Sequence, residues 1–583
     1  KVNSMVAFIR STFATVLGIF IFLLLGGFLV WIFTPKDDAP DIKESSVLRL
    51  SLNAPIEERS QEDPFTKLTG NVTPIGLLDL LQVIEKAKED DNIKGIYIDT
   101  QVALAGFASL EEIRGALLDF KESGKFIIAY AEYYSEGAYY IASVADQIFV
   151  NPIGLVEFNG LSVEVPFIKG TLEKLGVKPI IFRVGDYKSA VEPLMREEMS
   201  EASREQTTSY LNSIYDHYLN KVATSRNIPL HKLTIISDSM LVRKAKDALK
   251  YKLVTDVGYE DEARTALRKQ LKIEDDEKIN FVSIDTYKKV VKAEKEYAKN
   301  KIAIIVAEGQ IVDGKGGDGT IGSVSFVKEL RKVRKNDKVK AVILRINSPG
   351  GSALASDVMW REIQLLRKEK PVIASMSDVA ASGGYYMAMG CNSIVAQPNT
   401  ITGSIGIFGV LFNAQELLNE KIGVTADRVN TGGFSDLGNP TRELSETEKQ
   451  IIQANVNRGY ETFTSKAAKG RNMKVAALKK IASGRVWSGE QAKGNGLVDE
   501  LGGIAKAVEM AVKEADLKEE EYMLKYYPIE KDFFTKLLES MNEAKAITLQ
   551  EELGEFYDYY LTAKQLRKLK GIQARLPYDI VIK

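Results

Sequence analysis

Residues 340–352 read KAVILRINSPGGS, a short apolar run followed at once by a proline and two glycines. A short apolar run rich in β-branched residues predicts a buried strand. The proline fixes its own φ, and the two glycines reach conformations closed to other residues, so we expect the strand to end in a tight turn. A helical pattern at 357–368 and a second apolar run at 372–375 come next. Strands that alternate with helices predict an α/β fold with parallel strands.

The same order of elements occurs a second time, earlier in the chain. KGIYI at 94–98 matches KAVIL at 340–344, a shift of 246 residues. Further equivalent pairs are the helical stretches at 110–122 and 357–368, the apolar runs at 126–130 and 372–375, SEGAYYIA at 135–142 and ASGGYYMA at 381–388, and MSEASREQ at 199–206 and LSETEKQ at 444–450. Because β-α-β crossovers are right-handed, this repeat favours stacked β-α units with the helices outside the sheet.

The repeat divides the chain into two domains of one fold. A chain of 583 residues is too long for a single core. We predict one domain at 47–300, a second at 301–515 and an extension at 516–583. The extension is charged and aromatic, has helical periodicity around 533–560 and carries no assignable motif, so we interpret it as a packing extension.

Small residues surround one serine in the second copy. DVAASGGY at 378–385 places Ser382 directly before Gly383, at the start of a predicted helix. The small neighbours expose the hydroxyl, and a helix N-terminus offers free backbone amides. The N–H groups of Gly351 (or Gly350) and Gly383 are therefore candidates for an oxyanion hole, where one donor contributes roughly 3–4 kcal/mol. Alone, the glycine turn is usually only a turn and the serine usually only a helix cap, but the two in this order are more specific.

The first copy lacks these groups and carries a different one. Glu136 stands where the second copy has its serine, and VALAG at 102–106 stands where the second copy has its glycine turn. GDYKSAVEP at 185–193 follows a predicted strand, whereas the second copy has NTGGFSDLGNP at 430–440, with a glycine near the position of Lys188. Each copy holds a chemical group that the other lacks. We infer that the two halves close on each other and build one site between them.

A serine hydroxyl needs an adjacent base to act as a nucleophile. The two histidines, His217 and His231, lie in polar, helix-like sequence away from every motif, and we interpret them as surface or helix residues. Lys188 is a base only when it is neutral, and lowering its pKa by about 3 costs roughly 4 kcal/mol, which burial supplies. Taken alone, Lys188 is typical of a solvated loop lysine. In TGSIG at 402–406, Ser404 is a candidate to orient the lysine nitrogen, with simple turn chemistry as the alternative.

Composition excludes several classes of protein. The 78 basic and 79 acidic residues give a net charge of −1, so no broad basic field favours nucleic acid. The single cysteine, Cys391, cannot form an intrachain disulfide. The sequence has no cysteine and histidine cluster with metal-ligand spacing and no P-loop, so we predict neither a metal nor another cofactor.

The start of the sequence carries a targeting signal. Residues 13–33 form an uncharged run of 21 residues, long enough to span a bilayer. Lys1 and Arg10 precede the run and several aspartates follow it, so we predict that residues 1–12 are cytoplasmic and that the remainder lies outside. Residues 34–46 are polar, contain two prolines and are typical of a linker. The run is longer than a usual signal-peptide core and no A-x-A cleavage site follows it, which favours a retained transmembrane anchor over a cleaved signal peptide. Because the run is apolar on all sides, a buried core helix is also disfavoured.

Five segments of the sequence together resemble one known family. They are INSPGGS at 346–352, SDVAASGGYYMA at 377–388, NTITGSIGIFG at 399–409, GDYKSAVEP at 185–193 and ASGRVWSGEQAKGNGLVDELGG at 482–503. With them, the chain is similar to the long, tandem-domain form of signal peptide peptidase A (protease IV) from the anchor to about residue 515. EPL at 192–194 departs from the EPF of many members, which concerns the shape of a pocket rather than the chemistry.

The resemblance implies a fold, a site and a location. It implies a Clp-protease/crotonase-like β-α superhelix repeated twice, and a serine endopeptidase with Ser382 as nucleophile and Lys188 as general base. It implies that the backbone N–H groups of Gly351 and Gly383 are the oxyanion donors. It further implies a single-pass protein of the bacterial inner membrane, with its catalytic domains on the periplasmic side. Such a protein forms a homotetramer and cleaves remnant signal peptides.

Two other functions remain open at this point. A crotonase-type acyl-CoA enzyme shares the glycine-rich oxyanion architecture, but the predicted anchor places the domains where coenzyme A is not expected, and a serine–lysine pair has no role in it. A catalytically inactive scaffold that clamps membrane proteins is the other alternative. The complementary chemistry of the two halves argues against it, since a decayed enzyme need not keep one group in each half.

Overall fold

The computed structural model describes most of the chain between its predicted linker and its predicted extension. The described residues are 40–60, 73–293, 298–317, 319–518, 521–529 and 571–576, with the isolated positions Thr15, Leu17, Gly18, Ile21 and Leu25. The predicted anchor at 13–33, apart from those five positions, and the periodic stretch around 533–560 lie outside this set. Across the part of the chain that is described, none of the helices combines the length and the apolar character that a membrane crossing requires.

The front half is built on a parallel sheet, which we call the front sheet. In order across the sheet its strands are Asp256–Val257, Gln147–Val156, Phe126–Tyr134, Ile93–Ile98, Ser46–Leu50 and Asn280–Ser283. A short parallel pair, Ile56–Glu57 with Ile75–Gly76, lies beside it. Its helices are Leu77–Glu89, Phe107–Glu122, Glu136–Ala142, Lys169–Leu175, Glu192–Met195, Glu201–Arg226, Leu230–Asp238, Ala245–Lys250, Glu260–Leu271 and Ile284–Ala293, with a 3₁₀ turn at Ser189–Val191.

The rear half repeats this plan on a second sheet, the rear sheet. In order its strands are Val486–Ser488, Ile401–Gly403, Val372–Ala381, Val339–Ser348, Asn300–Glu308 and Tyr522–Tyr527. In addition, Ser393–Ala396 pairs with Val372–Ala381, and Glu500–Leu501 pairs with Ser393–Ala396. Its helices are Ser323–Arg334, Ala353–Arg367, Gly383–Ala388, Glu446–Gly470, Val475–Ile481, Gly489–Gly494 and Ile504–Glu514, with a π-helix at Leu417–Ile422. The strand Val339–Ser348 is buried along nearly its whole length, as expected for a parallel strand covered on both faces.

A third sheet joins the two halves, and we call it the shared sheet. Its strands are, in order, Thr320–Gly322, Gln310–Val312, Gly350–Ser352, Gly571–Arg575, Phe408–Asn413 and Lys178–Arg183. The strand Lys178–Arg183 of the front half pairs antiparallel with Phe408–Asn413 of the rear half over its full length. Because the loop that carries Lys188 follows this front strand, the pairing delivers that loop to the rear half.

The repeated elements that the sequence predicts are confirmed, with longer strands than the apolar runs alone. The run at 126–130 extends to Tyr134 and the run at 372–375 extends to Ala381, which brings the second strand up to Ser382. The strand Tyr522–Tyr527 lies within the predicted extension and forms the edge of the rear sheet beside Asn300–Glu308. Part of the extension therefore belongs to the rear half.

Candidate active site

Ser382 sits at a sharp turn between the strand Val372–Ala381 and the helix Gly383–Ala388. Its φ of 54° and ψ of −109° are unusual for a residue with a side chain, and such strained conformations concentrate at functional sites. The turn is fixed by the Ser382 backbone N–H, which donates to the carbonyl of Gly403 at 2.9 Å. The serine is fully buried in this structure.

Lys188 reaches Ser382 from the front half. It precedes the 3₁₀ turn Ser189–Val191, and its side chain is also fully buried. The Lys188 Nζ lies 2.9 Å from the Ser382 Oγ, 2.9 Å from the Ser404 carbonyl oxygen and 2.9 Å from the Ser404 Oγ. The structure thus brings together the three side chains that the sequence places in one site, within a single chain.

Burial determines the protonation state of Lys188. Desolvation lowers the pKa of the Lys188 amine well below its ordinary value, and no charged neighbour contributes to the change. Desolvation disfavours the ammonium form because it removes the water that stabilises the charge. The amine is therefore poised to lie neutral at a pH where an exposed lysine is charged, which is the state in which it can accept a proton.

Two glycines of the rear half make room for this lysine. A Cβ on Gly484 would lie 2.6 Å from the Lys188 Cβ and 2.7 Å from its Cα, and a Cβ on Gly406 would lie 3.2 Å from its Cδ. Gly484 also has a φ of 82°, which favours glycine. Close packing of the lysine stem against these backbones excludes water and directs the Nζ to the serine.

Gln206 fastens the lysine loop to the rear half. Its Nε2 donates to the Tyr187 carbonyl oxygen at 3.0 Å and to the Ser189 Oγ at 2.7 Å, one residue on each side of Lys188. Its Oε1 accepts from the backbone N–H of Val486 at 3.0 Å. One buried amide therefore ties both flanks of the lysine to a rear strand.

The glycine turn supplies the candidate oxyanion donors. Gly350 has a φ of 95°, and its backbone N–H donates to the Ser348 Oγ at 3.2 Å. Because that amide is already used, Gly351 rather than Gly350 is the donor that the turn offers. Gly383 lies against the same turn, since a Cβ on Gly350 would stand 2.6 Å from the Gly383 nitrogen. The glycine turn and the Gly383 amide thus lie next to each other, directly beside Ser382.

The equivalent position of the front half has no such chemistry. Glu136 is buried, and its Oε1 accepts from the backbone N–H groups of Asn159 at 2.7 Å and Gly160 at 2.8 Å, so it holds a loop in place. His217 lies in the helix Glu201–Arg226 and contacts Glu111 at 3.3 Å. His231 is exposed on the helix Leu230–Asp238. None of these groups contacts Ser382.

Sequence reasoning did not assign roles to Gln206, Gly484 and Gly406. All three fall in segments that mark the repeat or the family resemblance, namely MSEASREQ at 199–206, NTITGSIGIFG at 399–409 and the segment at 482–503. Their contacts with the lysine loop join residues far apart in the chain, and no local pattern reports such contacts.

Comparison with known proteins matches the chain to one peptidase family. The model of peptidase family S49 matches residues 119–274 and 364–518, so one matched region contains Lys188 and the other contains Ser382. "Serine protease SPPA, chloroplastic" from Arabidopsis thaliana is 37% identical over 485 residues, 82% of this chain and 70% of the relative. "Protease 4" from Salmonella typhi is 36% identical over 552 residues, 92% of this chain and 88% of the relative. "Protease 4" from Haemophilus influenzae is 39% identical over 469 residues, 77% of this chain and 75% of the relative.

Proposed function

Because the chain belongs to peptidase family S49, as a serine protease of the tandem-domain signal peptide peptidase A form, we propose that it cleaves peptide bonds with a Ser382–Lys188 dyad. The observation that carries the proposal is the 2.9 Å separation of the Lys188 Nζ from the Ser382 Oγ in a site closed to water. The proposed fold of each half is the Clp-protease/crotonase-like β-α superhelix.

The proposed reaction has two stages. Neutral Lys188 takes the proton of the Ser382 hydroxyl while the Oγ bonds to the substrate carbonyl carbon. The amides of Gly351 and Gly383 donate to the oxygen that becomes negative. The C–N bond then breaks, and the leaving nitrogen takes the proton from Lys188. In the second stage Lys188 deprotonates a water molecule, which hydrolyses the ester on Ser382 and restores the enzyme.

Ser404 has a supporting role in this proposal. Both its carbonyl oxygen and its Oγ lie 2.9 Å from the Lys188 Nζ. Two contacts from one residue fix the direction of the amine, so that its lone pair points at the serine.

Two variants test the dyad. We expect Ser382→Ala and Lys188→Ala each to lose hydrolysis of a fluorogenic peptide, while circular dichroism shows an unchanged fold. A fluorophosphonate probe, which labels activated serines, should label the wild type and neither variant. A folded variant that keeps wild-type turnover overturns the dyad. The same labelling separates a serine protease from an acyl-CoA enzyme, which has no activated serine.

We further propose that the substrates are remnant signal peptides and that residues 13–33 anchor the chain in the bacterial inner membrane with its catalytic domains in the periplasm. Such remnants are short, apolar and held in the bilayer, so a tethered protease meets them at a high effective concentration. An extended peptide can pair with the strands beside Ser382 by β-augmentation. Extraction of membranes with alkaline carbonate tests the anchor, since a spanning helix resists it.

We propose a homotetramer as the working assembly. Light scattering coupled to size-exclusion chromatography of the full chain in detergent gives its mass directly. A monomeric mass with full peptidase activity contradicts this part of the proposal and leaves the dyad standing, because Lys188 and Ser382 come from one chain.

A further inference from the structure

One helix of the front half begins against the strand that carries the nucleophile. The helix Phe107–Glu122 starts after Gly106, which has no side chain to bind the free amides of the first turn, and that turn holds no acidic residue. The acceptor comes from the rear half instead. The Ser109 backbone N–H donates to the Oδ1 of Asp378 at 2.9 Å, and the Ser109 Oγ donates to its Oδ2 at 2.6 Å. A carboxyl group of the rear half therefore caps a helix of the front half.

The contact has the geometry of a helix cap. Ser109 is the third residue of the helix, and the amide at this position is one that a capping side chain ordinarily binds. The residue before the helix must be small for the carboxyl group to fit, since a Cβ on Gly106 would lie 2.4 Å from the Asp378 Cγ and 2.4 Å from its Oδ1. Asp378 therefore occupies the space that a capping side chain at position 106 would itself take.

The second copy of the repeat caps the equivalent helix in the ordinary way. The shift of 246 residues places Ser352 opposite Gly106 and Ala355 opposite Ser109. The Ser352 Oγ accepts from the Ala355 backbone N–H at 3.2 Å, so the helix Ala353–Arg367 takes its cap from the residue directly before it. The front half lacks this local cap and receives one from the other half. The two copies thus differ at the helix start in a way that couples the halves.

Asp378 lies on the strand that leads into the nucleophile. This strand, Val372–Ala381, ends directly before Ser382. The residue of the front half that corresponds to Asp378 is Glu132, which is exposed, so the repeat itself does not require the contact. Lys188 comes from the front half, and its distance from Ser382 therefore depends on how this strand sits against the front half. The helix cap fixes that relation on the strand itself.

We propose that Asp378 is a positioning residue, which caps the front helix and so holds Ser382 at the distance from Lys188 that proton transfer requires. This inference rests on the proposed function. Asp378 acts through the strand and the helix and does not touch the reacting atoms. A misplacement of about 1 Å is enough to lower a rate about 100-fold, so the loss of the cap should appear in kcat rather than in KM.

Two substitutions of Asp378 in the full chain test the proposal. We expect Asp378→Ala to lower kcat for a fluorogenic peptide at least about 10-fold with little change in KM, and to slow fluorophosphonate labelling of Ser382 in proportion. Asp378→Asn should keep kcat within about 3-fold of the wild type, because asparagine caps helices about as well as aspartate. A folded Asp378→Ala with wild-type kcat overturns this inference while the proposed function stands. A wild type that hydrolyses no peptide overturns the proposed function and this inference with it.

A second pair of variants separates positioning from helix capping. A Cβ on Gly106 would lie 2.9 Å from the Asp378 Cβ, so Gly106→Ser is combined with Asp378→Gly, which makes room for it. The new serine gives the front helix a local cap of the kind that Ser352 gives the rear helix. We expect the double variant to be more stable than Asp378→Gly in denaturant unfolding and to keep its low kcat. A double variant that regains wild-type kcat would show that Asp378 serves only as a cap and overturns its positioning role.

Ser445→Ala is the control for the loss of a cap elsewhere. The Ser445 side chain accepts from the Glu448 backbone N–H and caps the helix Glu446–Gly470 within the rear half. We expect this variant to lose stability and to keep wild-type kcat. A fall in kcat equal to that of Asp378→Ala would show that any lost cap lowers activity, which also overturns a specific role for Asp378.

Discussion

At the scale of single residues, the protonation state of Lys188 decides the directions of its three hydrogen bonds. A neutral amine has two N–H donors and one lone pair, whereas an ammonium has three donors and no acceptor. The Ser404 carbonyl oxygen can only accept, and the Ser404 Oγ can accept the second N–H. In the neutral form that burial favours, the lone pair is left for the Ser382 hydroxyl, 2.9 Å away, which can donate to it.

The dependence of activity on pH follows from the lowered pKa of Lys188. We expect log(kcat/KM) for a neutral peptide to rise with pH while Lys188 loses its proton and then to level off. Because burial lowers the pKa of this amine well below its ordinary value, the plateau should begin well below about pH 10.4, the region where a free lysine titrates. A profile that still rises through that region contradicts a buried lysine base.

The same buried amine should lower stability at neutral pH. In the unfolded chain Lys188 binds a proton up to about pH 10.4, whereas in the folded chain it releases the proton at a lower pH. Between these two pKa values the unfolded state holds more protons, so the free energy of unfolding rises with pH, by at most about 1.4 kcal/mol per pH unit. Lys188→Met removes this term.

Denaturant unfolding of the two proteins at several pH values measures the effect. We expect the stability of the wild type relative to Lys188→Met to improve as the pH increases from neutral toward 10. A difference that is constant over this range contradicts a lysine that is neutral only in the folded state.

Gly484 provides a test of how closely the lysine must be held. In Gly484→Ala the new Cβ would meet the Lys188 Cβ at 2.6 Å, and the positive φ adds strain. Gly423 has a similar φ of 78°, but a Cβ there meets no atom within 4 Å. We expect Gly484→Ala to lower kcat about 100-fold, since small misplacements have effects of that size, and Gly423→Ala to keep wild-type kcat. Equal losses in the two variants would assign the effect to backbone strain alone.

The sequence indicates the two central groups but not the residues that hold them. Ser382 and Lys188 stand out because each repeat lacks what the other has. Gln206 contacts Val486 across 280 residues of sequence, and Gly484 contacts Lys188 only through the closure of the halves. Such contacts depend on packing between distant segments, and hydrophobic periodicity does not report them.

At the scale of elements, the helix Glu201–Arg226 connects the lysine loop to the rear half through two glutamines. Gln206 belongs to this helix and bridges the lysine loop and Val486. One turn further along, Ser209 accepts from Gln491 of the rear half through its carbonyl oxygen at 3.2 Å and through its Oγ at 3.0 Å. Both glutamines join the halves, but only Gln206 contacts residues next to Lys188.

This difference gives a matched pair of variants. We expect Gln206→Met to lower kcat about 10-fold with little change in KM, because two buried hydrogen bonds to the lysine loop are lost and each contributes about 1 kcal/mol. Gln491→Met should lower stability by a similar amount and leave kcat unchanged. Steady-state kinetics and denaturant unfolding separate the two effects. A comparable fall in kcat in both variants would show that Gln206 acts only through the overall fit of the halves.

Element prediction succeeds where a strand is long and apolar and fails where its partner is distant. The strands Ile93–Ile98 and Val339–Ser348 follow from their apolar runs. The three-residue strand Gly350–Ser352 was predicted only as a turn, since it is too short for a periodic pattern. The strand Gly571–Arg575 reads GIQAR, where polar residues interrupt any apolar run, so its composition does not predict its pairing with Gly350–Ser352.

At the scale of the whole molecule, a buried ion cluster joins the halves. Arg345 of the rear half is fully buried and binds Glu58 of the front half at 2.7 Å through its Nε. Its Nη2 lies 2.7 Å from the Oε1 of Glu112, also of the front half. The guanidinium completes its hydrogen bonds with the Oγ atoms of Ser375 and Ser377. Because Glu58 and Glu112 are almost completely buried, this one cation faces two carboxyl groups that water does not reach, and burial raises the pKa of Glu112.

Loss of Arg345 should destabilise the junction between the halves more than loss of an exposed arginine does. We expect Arg345→Met to lower the free energy of unfolding by about 3–5 kcal/mol, since it leaves two buried carboxyl groups without the cation that compensates them. Arg331→Met is the control, because Arg331 is 60% exposed and its partner Glu362 keeps a second cation, Arg334, so the loss should have an effect of at most about 1 kcal/mol. Adding Glu58→Gln and Glu112→Gln to Arg345→Met should recover part of the lost stability, because the two amides carry no charge that needs a buried cation. Denaturant unfolding measures all four proteins, and a triple variant no more stable than Arg345→Met would show that the arginine stabilises the junction by packing rather than by charge.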